Sequence, residues 1–406
     1  MSMGQLRRRR AAFSLLELMV ALTVGGIAIT SMYAIGATTT RQFHQQHQLA
    51  NTLTSLRMAL NQIKRDIARA GYLSTPNATP GAPHLSPLCN VPAIHDPGLT
   101  GSLAAISRFD DDVCGSTSGC SNLRPGASTN NTSSGFSSDE LRLLANYETA
   151  SEYSGLQYIN ATSVAIARTT HPYETDFTQW YAGSTAFDAP AFNRAFTVGR
   201  MVRIRTTSGL YHFATITSVT PESAANDAVV SFTGDPLPTV CQTTTEGGWI
   251  APVSFIRYFP RNEPNPDPNE AQSWGPMAQL VRQEVQPGDK ATGLGSPARV
   301  VLDYLVNFNL GFVAKGADAV VGAADSYTPG NDTTSAAVVN ANPERVRAVT
   351  IELSARTPEQ DRSLAWSAAA CANLSCYQVF TDRPGASRVR TLRAEVFLPN
   401  VAFESY

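Results

Sequence analysis

Glu17 is an acidic side chain at the start of a long apolar segment. No charged residue follows it from Leu18 to Thr40. About 20 apolar residues in a helix cross the ~30 Å hydrocarbon core of a bilayer, so this segment is long enough to span a membrane. A carboxylate at the bilayer centre costs on the order of 2.5–3.5 kcal/mol, and less near the edge. Such a residue usually has a partner, which makes Glu17 the first candidate functional residue.

A cut in the chain between Ala12 and Phe13 would supply that partner. The new α-amino group would lie four residues before Glu17, roughly 6 Å away along a helix axis. In a staggered bundle of such helices, the glutamate of one chain can pair with the amino terminus of a neighbour. This pairing is strong in a low dielectric, and an error of register leaves a charge unpaired.

The residues Phe13-Ser14-Leu15-Leu16-Glu17 follow a run of four arginines, Arg7 to Arg10. This arrangement resembles the class III signal of type IV pilins and pseudopilins, which has a short basic leader, a glycine and then Phe-[Ser/Thr]-Leu-x-Glu. The resemblance implies cleavage after Ala12 by a prepilin peptidase and N-methylation of Phe13 by the same enzyme. Ala12 departs from the glycine that is usual before the cut, but it keeps the small size, so we expect cleavage.

Two other interpretations of the N-terminus remain open. One is an ordinary secretory signal with a basic and an apolar region. Against it, the apolar region is too long, Glu17 is misplaced, and Met32-Tyr33-Ala34 is a poor small-residue cleavage site. The other is a plain membrane anchor in which the glutamate is incidental.

The composition is that of a globular chain rather than a disordered one. The 406 residues are 43% hydrophobic and carry a formal charge of −2. Removal of the first twelve residues, which hold four arginines and no acid, changes the charge to −6. A mildly acidic protein argues against non-specific nucleic-acid binding. Because Lys and Arg stay on the cytoplasmic side of a membrane, we expect the rest of the chain outside the inner membrane.

Six cysteines follow the apolar segment. An even number in an exported chain suggests disulfides, although six cysteines allow 15 connectivities. The simplest pairing joins the nearest cysteines and then the remaining two: Cys371 with Cys376, Cys114 with Cys120, and Cys89 with Cys241. Zinc binding is the alternative, but no C-x-x-C occurs and no histidine lies at a ligand-like spacing. We therefore expect disulfides, no metal and no cofactor.

The apolar segment continues into an amphipathic helix. Apolar residues recur at spacings of three and four in an unbroken stripe made of Leu49, Leu53, Leu56, Leu60, Ile63, Ile67 and Ala70. Gly71 suits a C-terminal cap, so one helix is predicted from Phe13 to about Ala70. A coiled-coil dimer would explain the stripe, but the β-rich sequence that follows favours packing on the chain's own sheet.

The C-terminal part of the chain predicts an antiparallel sheet, because no helix of about 10–15 residues recurs between its apolar runs. The candidate strands are Glu140–Tyr147, Met201–Thr206, Tyr211–Val219, Ala228–Phe232, Val253–Phe259, Gln279–Val285, Arg299–Phe312, Arg345–Ala355 and Val389–Leu398. In an alternative interpretation, the first half of Arg299–Phe312 is a short helix. The predicted fold class is α+β: a long N-terminal helix packed on an antiparallel β-sheet domain with long loops.

These patterns divide the chain into five segments. They are a leader peptide (1–12), a transmembrane and polymerisation helix (13–40), an amphipathic helix half (41–71), a disulfide-containing loop region (72–139) and a β-rich globular pilin-like domain (140–406). The loop region contains Asp110-Asp111-Asp112, for which we favour a solvated turn over a calcium site because the alternating ligand spacing is missing.

Later segments resemble the W-type minor pilins (PilW family). The end of the helix matches an Asp-x-x-x-Ala-Gly-aromatic pattern with Asp66-Ile67-Ala68-Arg69-Ala70-Gly71-Tyr72, and a Ser-Asp-x-Leu strand appears at Ser138-Asp139-Glu140-Leu141. Looser matches are Val198–Val219, Leu280-Val281-Arg282, Val346-Arg347-Ala348-Val349 and a final Arg-rich strand reaching Pro399-Asn400. Because the later matches are loose, the J-type pseudopilins of type II secretion are an alternative.

The resemblance implies a minor pilin that helps to prime assembly of a type IV pilus and lies at its tip. The implied partners are other minor pilins, the major pilin, the prepilin peptidase, a large tip adhesin and the inner membrane. A membrane-anchored periplasmic binding protein or enzyme is a further alternative. Against an enzyme, the sequence holds no Gly-x-Ser-x-Gly, His-Glu-x-x-His or Walker A pattern. His44 and His47 share a helix face, but no third metal ligand accompanies them.

Overall fold

The computed structural model describes most of the long helix and the strands that follow it. The described residues are 14–75, 77, 88–89, 103–109, 139–149, 151–166, 181–182, 186–187, 189–221, 227–262, 277–286, 293–294, 297–315, 324–326, 339–340, 343–364, 376–379 and 385–402. The chain divides into two compact units, Met1–Asn51 and Thr52–Tyr406.

Helix α1 (Leu15–Arg69) is the long helix that the sequence predicts. In the first unit, its large apolar side chains from Leu15 to Phe43 are exposed. In the second unit, one face of the helix is buried, and it consists of Thr52, Leu56, Ala59, Leu60, Ile63 and Ile67. These side chains share a core with strand residues, so the predicted packing on the chain's own sheet is confirmed for this part of the stripe. Leu49 and Leu53 are only partly buried.

The described strands all pair in antiparallel fashion. They are β1 (Ile106–Phe109), β2 (Glu140–Ala145), β3 (Tyr153–Ser154), β4 (Leu156–Asn160), β5 (Ser163–Ile166), β6 (Tyr181–Ala182), β7 (Ala186–Phe187), β8 (Met201–Arg205), β9 (Tyr211–Thr215), β10 (Ser218–Thr220), β11 (Ala228–Ser231), β12 (Trp249–Asn262), β13 (Ala278–Val285), β14 (Arg299–Leu302), β15 (Leu305–Lys315), β16 (Ala324–Ser326), β17 (Val346–Arg356), β18 (Cys376–Tyr377) and β19 (Ser387–Phe397). Short helices are α2 (Ala189–Ala195), α3 (Thr239–Thr245), α4 (Pro399–Ala402) and a 3₁₀ turn at Pro343–Arg345. A long helix followed by antiparallel sheets confirms the α+β fold class.

The first sheet runs in the order β1-β2-β12-β13-β14, and β3 and β8 join the N-terminal part of β12. Its register places Tyr258 opposite Leu141 of β2 and opposite Arg282 of β13. Successive side chains of a strand point to opposite faces, so these three residues lie on one face. Leu141 and Tyr258 belong to the core that the buried face of α1 completes.

The C-terminal sheet runs in the order β16-β15-β17-β19-β18. Alternate residues of β15 and β17, such as Phe308, Leu310, Ile351 and Leu353, enter the same core as α1. The end of α1 is therefore packed against residues from both sheets. This core holds much of the large apolar surface of the second unit.

A second core lies apart from the helix. Strands β10-β11-β5-β4 form a small sheet, and its apolar side chains pack with Phe192 of α2, Phe196 and Cys241 of α3. The β-rich part of the chain therefore has more than one hydrophobic core.

The structure differs from the sequence prediction in several places. Tyr211–Val219 is predicted as one strand but forms β9 and β10, which lie in different sheets, and strands β3 to β7, β16 and β18 were not predicted. Residues 72–139 are predicted to be loop, but Ile106–Phe109 forms β1, which pairs with β2 at the edge of the first sheet. Residues Arg299–Phe312 are predicted as one strand and form two, β14 and β15. The break falls at Tyr304, whose φ of 56° lies outside the extended region, so a single regular strand cannot continue through it.

Candidate assembly site

A capping box closes the start of α1. Ser14 precedes the helix, and its hydroxyl accepts a hydrogen bond from the Glu17 backbone N–H (3.1 Å). In return, Glu17 Oε2 accepts from the Ser14 backbone N–H (3.0 Å) and from the Ser14 hydroxyl (3.2 Å). The reciprocal pattern satisfies two amide donors that a helix start otherwise leaves unpaired. The sequence signature of this capping box is Ser-x-x-Glu before an apolar run. The interpretation of Glu17 as an assembly residue did not depend on that signature.

The capping geometry leaves part of the Glu17 carboxylate available. Both contacts from Ser14 go to Oε2, and within the described residues Oε1 has no hydrogen-bond partner. An ionised carboxylate accepts about four hydrogen bonds, so it can hold a cap and a further donor together. Its negative charge is also favourable at a helix N-terminus, where the helix dipole is positive.

The residues after Glu17 form an apolar segment whose polar side chains are satisfied locally. Within the described residues, α1 is the one helix that is long and apolar enough to cross a membrane. Its hydroxyls bond to carbonyls one turn earlier, as Ser31 does to Ile27 (2.8 Å) and Thr39 to Ile35 (2.8 Å). Because lipid offers no hydrogen bonds, this local pairing removes the cost of placing such hydroxyls in a bilayer.

The other predicted site residues are distributed as follows. Ala12 and Phe13, at the expected cut, lie outside the described residues, as do Cys114, Cys120, Cys371 and the three aspartates at 110–112. Cys89 and Cys241 form a disulfide with a Cα–Cα distance of 5.8 Å, and Cys376 is also disulfide-bonded.

The described histidines do not form a metal or catalytic cluster. Within the described part of the chain, no group of three potential metal ligands occurs. His212 is buried, and its Nε2 lies 2.9 Å from the backbone carbonyl of Asp235, whose own carboxylate accepts from the Thr215 N–H. Burial lowers the pKa of His212. This His212–Asp235 contact is therefore a structural one and lacks the carboxylate–imidazole geometry of a triad.

A second polar cluster holds the far end of α1 to the first sheet. Asp66 Oδ2 accepts hydrogen bonds from Arg282 Nε (2.7 Å) and from the Tyr258 hydroxyl (2.6 Å). The Tyr147 hydroxyl donates to the backbone carbonyl of Asp66 (2.8 Å). We call these four residues the helix-end anchor. The sequence signals Asp66 only through a resemblance, because its partners lie far along the chain.

Charge and burial keep Tyr147, Tyr258 and Arg282 each in one protonation state. Burial first, and then the negative charge of Asp66, raise the pKa of Tyr147 and Tyr258 well above the usual tyrosine value. Burial alone would lower the pKa of Arg282, but Asp66 outweighs it and raises this pKa. Both phenols therefore remain neutral donors and Arg282 remains charged at any physiological pH.

Arg69 adds a further contact at the helix end. Its guanidinium donates to the backbone carbonyls of Asn146 (2.6 Å) and Thr149 (3.2 Å) and lies 5.5 Å from the centre of the Tyr147 ring. A cation over an aromatic face is stabilised by the ring quadrupole. The segment after β2 is thereby joined to the last turn of α1.

Gly71 ends the helix at a crowded position. Its φ is +80°, which a residue with a side chain rarely adopts, and its N–H donates to the Leu144 carbonyl (2.9 Å). A Cβ at this position would lie 3.2 Å from Val401 Cγ2. The backbone conformation therefore favours glycine here, and a side chain would in addition require Val401 of α4 to move by a few tenths of an ångström.

The comparison with known proteins concerns mainly the N-terminus. Residues 7–33 match the prokaryotic N-terminal methylation motif. No curated protein sequence matches it. A solved type IV-like pilin from Thermus thermophilus is 17% identical over 53% of this chain and 93% of that chain, but its TM-score of 0.20 establishes no shared fold.

The N-terminal methylation motif and the capping box share residues. Ser14 and Glu17 lie inside the matched range 7–33, and the apolar start of α1 follows them. The matched segment thus contains both a helix start that is stabilised within one chain and a carboxylate oxygen that is open to a further donor.

Proposed function

We propose that this chain is a minor pilin of a type IV pilus. The match of residues 7–33 to the N-terminal methylation motif carries the proposal. In this proposal, prepilin peptidase cuts between Ala12 and Phe13 and methylates the new N-terminus at Phe13. Before assembly the protein is a single-pass inner-membrane protein with its β-rich domain in the periplasm.

The proposed role of Glu17 in assembly follows from its free oxygen. The cap leaves Oε1 without a partner in the described residues, and the positive amino terminus of a neighbouring subunit is a donor of the right charge. In the low dielectric of a helix bundle the pair is strongly attractive, and a subunit inserted out of register leaves both charges buried and unpaired. Glu17 thereby selects the axial position of each subunit.

We further propose a role in the priming and tip complex, as the PilW-type resemblance implies. The partners would be other minor pilins, the major pilin and a large tip adhesin. In this role the helix would polymerise and the β-rich domain would bind the partners. The helix-end anchor supports the proposal, because it fixes the β-rich domain to the last turns of α1. The domain is then presented to partners in a defined orientation on that helix end.

The first experiment is the mass of the N-terminal peptide, measured separately for protein from membranes and from sheared surface material. A peptide starting at methylated Phe13 in the sheared fraction is the expected result. A chain that starts at Met1, or a mature chain that starts after Ala34, would refute the pilin-like processing. Correct processing with no protein in the sheared fraction would refute the pilus role alone.

Variants of Glu17 separate its two contacts. Glu17→Val removes both the cap and the charge, whereas Glu17→Gln keeps an amide oxygen that can accept from Ser14. We expect both variants to insert in the membrane and both to be missing from sheared pili, because each lacks the charge. Recovery of Glu17→Gln at the wild-type level would show that the cap, not the charge, is what assembly needs.

A further inference from the structure

Strand β19 lies at an open edge of the C-terminal sheet. On one side it pairs with β17 from Val389 to Phe397 without any shift of register. On the other side, β18 pairs only with Ser387 and Arg388. Within the described part of the chain, no strand covers the remaining nine residues of β19 on that side.

The backbone direction along this edge follows from two hydrogen bonds. The Leu398 N–H donates to the Arg347 carbonyl, and the Thr357 N–H donates to the Arg388 carbonyl. In an antiparallel pair, alternate residues of a strand bond to the partner and the residues between them point away. The even-numbered residues of β19 therefore bond to β17, and the odd-numbered residues present N–H and C=O groups to the open edge.

The exposed side chains on this edge include one positive and one negative charge, Arg393 and Glu395, so the edge disfavours a strand of like charge but not one of complementary charge. Thr391 and Glu395 are exposed, and Phe397 is 71% exposed. The Arg393 side chain is 73% exposed, and its Nε lies 2.6 Å from Glu352 Oε2 on β17, which leaves its other guanidinium N–H groups to face a further acceptor. Natural edge strands are usually shortened, bulged or interrupted by proline to prevent pairing. The open part of β19 is regular and has neither a bulge against β17 nor a proline.

We propose that this edge binds a second copy of the chain, with two β19 strands paired antiparallel about Ala394. In this register Arg393 of each copy lies opposite Glu395 of the other, which gives two pairs of opposite charge. Thr391 lies opposite the exposed Phe397, which it helps to cover. The charges of this strand are opposite in sign to those that they face in an antiparallel second copy. This complementarity favours a two-fold pairing of the strand with itself over pairing with an unrelated partner.

The same register is also complementary on the other face of the strand. Leu392 lies opposite Val396 of the second copy, and Ala394 lies opposite itself. Leu392 and Ala394 are half-buried apolar residues beside the main core. The pairing would thus extend the apolar face of each sheet into its neighbour, and a slip by one residue would place every side chain on the wrong face. The proposal does not depend on the pilus role.

Cysteine cross-linking of the full-length protein in its native membranes tests the register. Ala394 would face its own copy in a non-hydrogen-bonded pair, where Cα atoms are about 4.5 Å apart, and disulfides form at roughly 4.4–6.8 Å. Arg390→Cys is the matched control, because it is exposed on the same strand but would lie about 27 Å from its copy. We expect Ala394→Cys to give a disulfide-linked dimer in roughly tenfold higher yield than Arg390→Cys.

A charge reversal in the Ala394→Cys background gives a second measurement. Glu395→Arg would place two arginines opposite each other on both sides of Ala394 and should reduce the dimer yield roughly tenfold, and Glu395→Gln should reduce it less. An intact Cys89–Cys241 disulfide in each variant shows that the domain has folded. Equal cross-linking by Arg390→Cys, an unchanged yield in Glu395→Arg, or an adduct with a protein of different mass would overturn the proposal.

Discussion

Replacement of Asp66 by alanine removes the acceptor at the centre of the helix-end anchor. Asp66 Oδ2 is the shared acceptor for Arg282 Nε and the Tyr258 hydroxyl. Alanine is the better helix former by a few tenths of a kcal/mol, so helix propensity alone would stabilise the variant. A loss of stability in this variant therefore reports the lost contacts.

The size of the loss follows from the burial of the three groups. The side chains of Asp66 and Arg282 are 14% and 25% exposed. Breaking a fully buried ion pair costs about 3–5 kcal/mol and an exposed pair about 0–1 kcal/mol, so this partly screened pair should contribute about 1–2 kcal/mol. Tyr258 is fully buried, and its unpaired hydroxyl adds about 1–2 kcal/mol. The expected total is about 2–4 kcal/mol.

Hydrogen exchange of the helix end measures this loss locally, which suits a chain with more than one core. Peptides that cover Leu56–Ala70 should lose protection by roughly 30- to 900-fold in Asp66→Ala, since 1.36 kcal/mol is a factor of ten. Asp66→Asn keeps an acceptor for one donor and should fall between. Asn61→Ala, at an exposed position of the same helix, should change protection little. Protection in Asp66→Ala equal to that in Asn61→Ala would refute the anchor.

Three other perturbations have defined outcomes. Ser14→Ala should weaken the first turn of α1 by about 1 kcal/mol, and first-turn amides that exchange no faster than in Ser14→Thr would contradict the cap. Serine at both Cys89 and Cys241 opens a loop closed across 152 residues; the expected cost is about 2–5 kcal/mol, and an unchanged thermal midpoint would contradict it. For Glu140, burial raises the pKa, but its arginine partners, chiefly Arg257, outweigh burial and lower it below 4.5. The pairing therefore stabilises the fold above about pH 4.5, and this stabilisation is lost as the pH falls through the lower pKa of the folded state. Glu140→Gln should lower the free energy of unfolding at pH 7 and lower it progressively less in acid. A difference in unfolding free energy between wild type and variant that stays constant with pH would refute the assignment.

Periodic apolar patterns predicted the elements that carry the fold. The three-and-four spacing from Leu56 to Ala70 identified the buried face of α1, and the alternating runs identified β13, β17 and β19 close to their observed bounds. For β12 they identified only the middle, Val253–Phe259, of a strand that runs from Trp249 to Asn262. These patterns lie within short stretches of sequence and arise because one face of each element is buried. They can therefore be recognised from the sequence alone. Strand β1 has four residues, too few to show alternation, and it was missed for that reason.

Contacts between residues that lie far apart along the chain could not be predicted from the sequence. The partner of Asp66, Arg282, lies 216 residues later, and nothing in the local sequence of either residue specifies the other. The break at Tyr304 is of another kind: positive φ is uncommon for an aromatic residue, so no turn residue signals it. The Ser14–Glu17 capping box, by contrast, was readable, because Ser-x-x-Glu before an apolar run is a local signature.

The capping box bears on the proposed contact between Glu17 and a neighbouring subunit. A glutamate at the edge of the apolar segment carries a desolvation cost in the membrane, and a cap within its own chain reduces that cost. Because Oε2 is already paired with Ser14, the subunit can wait in the bilayer with its carboxylate partly satisfied. Because Oε1 has no partner within the described residues, a neighbour's amino terminus can still bind without breaking the cap. If both contacts coexist in this way, Ser14→Ala should reduce the lifetime of the unassembled subunit in the membrane more than its incorporation, whereas Glu17→Gln should do the reverse.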